Sequence, residues 1–358
     1  MPFIKNSSNL EDQQNGELDI PERKEKVSRP EVTTRDVRML YESYPYPSPV
    51  VSDDLIDDVA NNIGFLYPGD PLTGKRILDA GCGTGQRLLG AAKQYPKAEF
   101  WGIDMTNASL RIATQLANRH QIKNVHFIQA DLLNLDVKQE FDLISSTGVI
   151  HHLENPNLGL KNLTKLLSKD GVINIWLYHA LGEYQRLLDR EMLHTLWGQD
   201  QNNLELGFSL LRKLQLRLES RRYGTTAVQN HFEEINQTTI DVDAFMHPIV
   251  NAYRFAEAVK LFDGCDIDWL AVNGINSNDY SKLLDLSEAD NSNLKYFNLN
   301  INELFEDETL KQRFSGLSKQ EKLAIIELKL KPKGFTLIAG RGRSIYKLGS
   351  RIRGNILA

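Results

Sequence analysis

A glycine-rich run follows a short apolar segment near residue 80 of this sequence. The segment ends at Asp79, and Gly81 to Gly85 stand between it and an amphipathic stretch that begins near Gln86. Glycine lets the backbone turn tightly and approach a ligand, and the free amide groups at a helix start favour electronegative atoms. The pattern predicts a nucleotide-type pocket, with an ordinary tight turn of an α/β protein as the alternative.

The spacing of these glycines argues against a dinucleotide site. The fingerprint G-x-G-x-x-G would need a third glycine at position 86 if it began at Gly81, or at position 88 if it began at Gly83. Those positions hold Gln86 and Leu88. NAD is therefore disfavoured as the ligand.

Acidic residues close the next two apolar runs. Asp104 ends the run that starts at Phe100, and Asp131 follows Gln129. A carboxylate can accept hydrogen bonds from two neighbouring hydroxyl groups, so Asp104 suits a ribose. The alternative role for Asp104 is an N-cap for a helix that begins near Asn107.

Taken in order, these blocks resemble the cofactor motifs of the class I S-adenosylmethionine (SAM)-dependent methyltransferases. Leu78 to Gly85 resembles motif I, and Asp104, Asp131 and the segment Thr147 to Leu153 follow at matching positions. The resemblance covers about residues 75 to 178 and implies SAM as the cofactor, with S-adenosylhomocysteine (SAH) as its product. Three further runs are similar to a bacterial subgroup of the type 11/12 kind: Tyr41 to Pro47, Gly148 to His152 and Asp243 to Pro248.

The resemblance also implies roles for single residues. The loop would wrap the methionine and ribose parts of SAM, and Met105 and Leu132 would contact the adenine ring. Asp131 would accept a hydrogen bond from the adenine amine, with a bland surface turn as the alternative. The cofactor-binding residues expected on this basis are Asp79, Gly81, Cys82, Gly83, Gly85, Asp104, Met105, Asp131, Leu132 and Thr147.

Candidate catalytic groups follow the fourth strand. Methyl transfer from a sulfonium is an in-line displacement that needs alignment and desolvation, and no metal is required. His151 and His152 are the candidate general bases because histidine titrates near neutrality; the alternatives are a helix cap and a packed polar core residue. Tyr44 and Tyr46 would form a lid over the pocket, or simply anchor the N-terminal segment. The candidate acceptor contacts are Tyr44, Tyr46, Tyr178 and His247.

Several absences narrow the chemistry further. The sequence has neither an Asn-Pro-Pro-Tyr nor an Asp-Pro-Pro-Tyr run, which the family uses to methylate amino groups of nucleobases and glutamine. It also lacks a Pro-Cys nucleophile. The two cysteines, Cys82 and Cys265, have neither metal-ligand nor Cys-x-x-Cys spacing. A covalent thiol mechanism, a disulfide framework and a zinc site are therefore not expected.

Short apolar runs alternate with amphipathic stretches from Lys75 to Tyr178. Such alternation is typical of a parallel sheet with helices on both faces. Residues 180–250 show helical patterns without a clear strand, and Ser168 to Gly171 predict a turn before the fifth strand. The expected fold class is α/β, a Rossmann-like doubly wound fold with a seven-stranded, mostly parallel sheet and an inserted helical subdomain. The predicted strands are 76–80, 99–103, 125–129, 141–145, 172–177, 266–272 and 334–339.

These patterns divide the chain into six segments. Residues 1–30 carry few large apolar groups and cannot offset the entropy of ordering, so a flexible tail is expected there. The segments are the tail 1–30, a helix and Tyr/Pro strap 31–72, the SAM-binding core 73–179, a helical insertion 180–250 that forms an acceptor lid, the completion of the core 251–340, and a basic C-terminal tail 341–358.

Charge and hydropathy limit the kinds of partner that are expected. The net charge of -5 gives no field that would draw the whole molecule to nucleic acid or to an anionic membrane. Basic residues gather at 212–222 and 341–353, but the first group alternates with leucines and the second has few aromatics, so nucleic acid is not favoured. Without a signal-peptide core or an apolar stretch of about 18 residues, a cytoplasmic protein with no membrane span is expected.

Three functions remain open at this level. An enzyme of the EC 2.1.1 class that methylates a small molecule is the first expectation. A methyltransferase for protein or RNA is the second. The third is a SAM-binding regulatory module without catalytic activity. The shape of the acceptor pocket distinguishes the first two, because an enclosed pocket suits a small molecule and an open basic groove suits a macromolecule.

Overall fold

The computed structural model describes residues 34–51, 54–199, 201–218, 233–273, 301–349 and 352. The expectation of a flexible tail over residues 1–30 lies outside these residues, as do Arg221, Arg222, Arg351 and Arg353 of the two basic groups.

Within the described residues, seven strands form one mixed sheet in the order β3-β2-β1-β4-β5-β7-β6. The first five strands are parallel to one another, whereas β7 runs antiparallel to both β5 and β6. This topology confirms the Rossmann-like, mostly parallel sheet. The strands are β1 Arg76–Ala80, β2 Glu99–Asp104, β3 Val125–Gln129, β4 Phe141–Thr147, β5 Leu167–Tyr178, β6 Trp269–Asn273 and β7 Gly334–Gly340.

Helices cover both faces of the sheet because strand residues alternate between them. On β1, for example, Ile77 packs into the cluster on one face and Leu78 into the cluster on the other. Helices α2 to α4 lie on the first face, and α5, α9 and α12 lie on the second. The helices are α1 Thr34–Ser43, α2 Asp58–Leu66, α3 Gln86–Gln94, α4 Asn107–Arg119, α5 Pro156–Lys165, α6 Tyr184–Trp197, α7 Leu204–Lys213, α8 Glu233–Asp241, α9 Phe255–Lys260, α10 Ile301–Leu304, α11 Glu308–Ser315 and α12 Lys319–Leu330.

The predicted turn at Ser168 to Gly171 is wrong, because β5 runs through these residues. Its pairing with β4 is irregular there: Phe141 pairs with Leu167, and the next pair joins Leu143 to Val172. The extra residues of β5 therefore form a bulge, which accommodates the turn-forming sequence without ending the strand.

The predicted helical insertion contains α6, α7 and α8, followed by a turn of π-helix at Val242–Met246. Its apolar side chains pack with Leu40 of α1 in a separate cluster that includes Leu193, Trp197 and Leu211. The insertion and the N-terminal helix therefore share one core.

The first residues of the predicted C-terminal tail pack on the sheet. Ser344 accepts a hydrogen bond from the indole of Trp269, and the side chains of Leu348 and Ile352 are buried. Of the helices within the described ranges, none combines the length and apolarity needed to cross a bilayer.

Candidate functional site

A cleft with about 830 Å³ of open space lies where β1 to β4 end. The carboxyl ends of parallel strands are where open α/β sheets bind ligands. The helix α1 and the strap after it also contribute to its wall. Ten of the sequence-predicted residues line the cleft: Tyr46, Gly81, Cys82, Gly83, Asp104, Met105, Asp131, Leu132, Thr147 and His152.

The loop after β1 needs glycine for both conformation and space. Gly81 and Gly83 have φ values of 82° and 53°, in the left-handed region that favours glycine. A Cβ atom on Gly81 would lie 2.4 Å from a methyl group of Val149, and one on Gly83 would lie 2.3 Å from the carbonyl oxygen of Tyr46. The loop thus fits closely between the strap and the segment after β4.

Asp104 is held by the loop rather than by the next helix. Its carboxylate accepts hydrogen bonds from the Gly83 N–H at 3.0 Å and from the backbone and hydroxyl of Thr106 at 2.9 and 2.7 Å. Burial raises the pKa of the carboxyl group, and these donors oppose that shift. The first amides of α4, at Asn107 and Ala108, instead donate to the carboxylate of Glu42.

Asp131 caps a short 3₁₀ helix after β3. One carboxylate oxygen accepts a hydrogen bond from the Leu133 N–H at 2.9 Å, and the neighbouring Leu132 is buried. Met105 is positioned through its carbonyl, which accepts a bond from the Gln129 amide. One acidic and two apolar side chains therefore surround this end of the cleft.

Two predicted cofactor residues lie behind the cleft and not on its wall. Asp79 is buried at the end of β1, where burial raises its pKa to about 7 and the Arg87 guanidinium opposes the shift. Gly85 is the N-cap of α3, and a Cβ atom there would lie 2.7 Å from the Cβ of Ala113. Both residues therefore help to fix the position of the loop, Asp79 through its burial and Gly85 through its close packing against α4.

The N-terminal helix and strap are bonded to both sides of the cleft. Glu42 caps α4, and the side chain of Thr34 donates to Glu154 at 3.2 Å. The strap carbonyl of Tyr46 accepts from the Thr84 N–H at 2.9 Å. Tyr46 lines the cleft, whereas Tyr44 packs against Phe208 of α7, with ring centroids 6.5 Å apart.

Four rings form a cluster at the other end of the cleft, in which the three histidines are buried and Tyr178 is half-buried. His152 stacks on His247 with centroids 3.8 Å apart, and His151 lies against Tyr178 with centroids 3.9 Å apart and the rings tilted by 33°. The guanidinium of Arg186 lies 4.2 Å above the Tyr178 ring. Of the four rings, His152 lines the cleft, and the other three lie behind it.

The cluster is electrostatically balanced by groups from three segments. Tyr41 of α1 donates to Asp243 at 2.6 Å, and Arg186 pairs with Glu183 within α6. Burial lowers the pKa of Arg190 to about 9. Burial also lowers the pKa of His152 to about 3, and those of His151 and His247 well below their ordinary value.

Sequence reasoning missed several residues of the site. Arg87 lines the cleft and pairs with Asp58 at 2.7 Å, and it could have been noticed as a cation one residue past the start of α3. Arg186 and Arg190 had no local signal, because only the packing of the insertion brings them to the cluster. Asp243 stood in the run Asp243 to Pro248, but without a role of its own.

The residues present fit SAM. Gly148 lines the cleft with a φ of 77°, and no atom lies within 4 Å of where its Cβ would stand. That open position, the buried carboxylate of Asp104 and the apolar side chains of Met105 and Leu132 suit the sulfonium chain, ribose and adenine respectively.

The sheet order with its antiparallel β7, together with a cleft over β1 to β4, defines a class I SAM-binding fold. A family model described as a methyltransferase domain matches residues 72–215. The chain contains a class I SAM-dependent methyltransferase domain, and SAM is its cofactor.

Similar proteins span different shares of the chain. The uncharacterized protein syc1184_c of Synechococcus sp. is 28% identical over 319 residues, which are 84% of this chain and 70% of that protein. The malonyl-[acyl-carrier protein] O-methyltransferase of Bacillus cereus is 34% identical over 98 residues, 27% of this chain and 35% of that enzyme.

Among solved structures, PKMT2 from Rickettsia typhi in complex with AdoHcy superimposes with a TM-score of 0.51 at 18% identity. The match covers 87% of this chain and 55% of PKMT2, so the chain spans about half of that protein's length. This likeness shows the fold.

Proposed function

We propose that the protein transfers the methyl group of SAM to a small-molecule acceptor. The observation that carries this proposal is the cover that α1 and the strap place over the cleft. Val37, Tyr41 and Tyr46 line it together with the glycine loop and the segment Thr147 to Glu154 at the end of β4. A cleft covered in this way suits a small ligand.

The charged surface supports the same choice over nucleic acid. Arg341 pairs with Asp266, and Lys347 pairs with Asp170, so these two members of the C-terminal basic group are neutralised within the fold. A protein binds the phosphates of a nucleic acid through Lys and Arg side chains that are free to displace the counterions of the nucleic acid.

The cofactor would be held by the glycine loop, by Asp104 at the ribose and by Met105 and Leu132 at the adenine. When bound, SAM supplies a methyl group that is already strongly electrophilic, so we propose a transfer that uses no metal. The protein's own residues align the acceptor and exclude water. Val37 of α1 and Val149 after β4 contribute apolar surface to the wall of the cleft.

Two measurements test the proposal in sequence. Calorimetry should detect binding of SAH, and transfer from methyl-labelled SAM should place label in the small-molecule filtrate of a cell lysate. Label confined to the protein or RNA fraction would contradict a small acceptor. Binding of SAH without transfer to any fraction would instead support the regulatory alternative.

A further inference from the structure

The backbone N–H groups of the glycine loop, from Gly81 to Gly85, are all used inside the protein. Each of the five donates a hydrogen bond of 2.7 to 3.0 Å to another group of the chain. The acceptors are, in order, the carbonyl of Ile103 for the first two, the carboxylate of Asp104, and the carbonyls of Tyr46 and Cys82. A loop with free N–H groups at the start of a helix can bind an anion. This loop has the glycines of such a site, but its donors are already engaged.

The cofactor nevertheless carries an anionic group, the carboxylate of its methionine part. A carboxylate that leaves water needs donors or a cation at the place where it binds. Among the residues that line the cleft in the described part of the chain, Arg87 is the one lysine or arginine. The acids on the same wall, Asp104, Asp131 and Glu154, would repel a carboxylate, and His152 is neutral because burial lowers its pKa to about 3. Arg87 is therefore the cation that this wall offers.

Arg87 also lies at the appropriate end of the cleft, given the placement of the cofactor proposed above. In the sheet, β3 and β2 lie on one side of β1, and β4 lies on the other. The residues assigned to the adenine and the ribose follow β3 and β2, so the sulfur chain of the cofactor extends over the loop after β1, towards Gly148 after β4. Arg87 is the second residue of α3, directly after that loop. The carboxylate is at the far end of the chain, in the part of the cleft that Arg87 lines.

The guanidinium of Arg87 is held in place by two groups on the protein side. Its Nε donates to the carboxylate of Asp58, the first residue of α2, at 2.7 Å, and its Cζ lies 5.7 Å from the centre of the Tyr46 ring. The side chain is 13% exposed. A guanidinium has five N–H groups, and the four on its terminal nitrogens form the fork that matches a carboxylate. Because the cofactor carboxylate has an ammonium group on the neighbouring carbon, the amino-acid end adds no net charge to the ion pair.

We infer that Arg87 binds the carboxylate of SAM and makes the site selective for cofactors that carry this group. The inference rests on the cofactor placement proposed above and is independent of the acceptor. The work of the loop is then divided: its backbone gives the close fit around the cofactor, and the side chain that follows it supplies the charge.

Two ligands that differ only in the carboxylate test the role of Arg87. Calorimetry on the full chain compares SAH with decarboxylated SAH. The unmutated protein should bind SAH about tenfold more tightly, near the lower end of the range for a hydrogen bond to a charged group, because the Arg87 side chain is partly exposed. Arg87→Gln should lose this preference and leave the affinity for decarboxylated SAH nearly unchanged. Both ligands are measured on the same preparation, so a smaller folded fraction does not alter the ratio of the two affinities.

Two further variants sharpen the result. Arg87→Lys keeps the positive charge without the fork and should retain part of the preference for SAH. Arg254→Gln is the matched control, because it also breaks a 2.7 Å arginine–carboxylate pair, with Glu327, but does not line the cleft. It should keep the full preference.

Three outcomes would overturn the inference. Equal affinities of the unmutated protein for the two ligands would mean that the carboxylate is not recognised. A preference that persists in Arg87→Gln would assign the carboxylate to another group. Binding of neither ligand by the unmutated protein would refute the inference together with the cofactor placement, whereas SAH binding without methyl transfer refutes only the proposed function.

Discussion

The two halves of the cleft are built in different ways. The cofactor half consists of loops that directly follow β1, β2 and β3, and its key groups include backbone amides and glycines with positive φ. The other half, which we propose binds the acceptor and call the acceptor half, is formed by His152 and, behind it, by side chains from β5, α6 and the residues around His247, which are far apart in sequence. His152 and its partner Ile249, for example, are 97 residues apart.

Because of this difference, the two halves should respond to different kinds of substitution. A site made of backbone depends on conformation, so it responds to changes that alter φ or introduce a Cβ atom. A site made of packed side chains depends on the identity of each polar atom and on its burial. Substitutions should therefore separate cofactor binding from acceptor chemistry.

The largest effect on cofactor binding is expected from Gly83→Ala. The new Cβ would lie 2.3 Å from the carbonyl oxygen of Tyr46, so the strap or the loop must move. We expect SAH affinity, measured by calorimetry, to fall at least about tenfold, which corresponds to 1.4 kcal/mol. Gly69→Ala is the matched control, because Gly69 also has positive φ but no atom lies within 4 Å of its Cβ position. Equal affinities in the two variants would refute the close fit.

The same contrast explains what the sequence could predict. The cofactor half has a local signal, since the glycine run, Asp104 and Asp131 each follow a strand that hydropathy alone indicates. The sheet was predicted for the same reason, and its order and mixed direction confirm the fold class. The bulge in β5 was missed because residues 168–171 have the composition of a turn, and only pairing with β4 keeps them in the strand.

The acceptor half has no comparable local pattern in the sequence. His151 and His152 were equal candidates in the sequence, and the packing of the chain separates them, because His152 reaches the cleft and His151 packs against Tyr178 behind it. Tyr44 and Tyr46 were likewise equal candidates for a lid, yet Tyr46 lines the cleft and Tyr44 packs against Phe208. Long-range packing decides such pairs, and periodicity carries no information about it.

A buried acid behind the loop should affect stability more than binding. Burial raises the pKa of Asp79 from 3.8 to about 7, so in this interval the folded chain holds a proton that the unfolded chain has lost. Stability should therefore fall as pH rises from about 4 to 7, with a slope approaching 1.4 kcal/mol per pH unit for one proton.

The Asp79→Asn variant should remove this part of the pH dependence of stability, because the amide mimics the neutral acid. Urea unfolding at about pH 5 and pH 7 measures the slope. Asp142→Asn, on the neighbouring strand β4, removes a carboxylate that pairs with Lys75 and is the matched substitution for comparison. If Asp79→Asn abolished SAH binding while leaving the slope unchanged, Asp79 would belong to the cofactor contacts after all.

The smallest effect should come from Glu42, whose carboxylate joins α1 to the start of α4 across the cofactor half. Removing its charge in Glu42→Gln should weaken SAH binding by about two- to fivefold, since charges at helix ends contribute roughly 0.3–1 kcal/mol. Glu321→Gln is the matched control, because Glu321 bonds the Ser318 N–H at the start of α12, away from the cleft. Both variants should lose a similar small amount of thermal stability, and only Glu42→Gln should change affinity. An equal change in affinity would mean that the strap acts through general stability, and that the cofactor half is complete without α1.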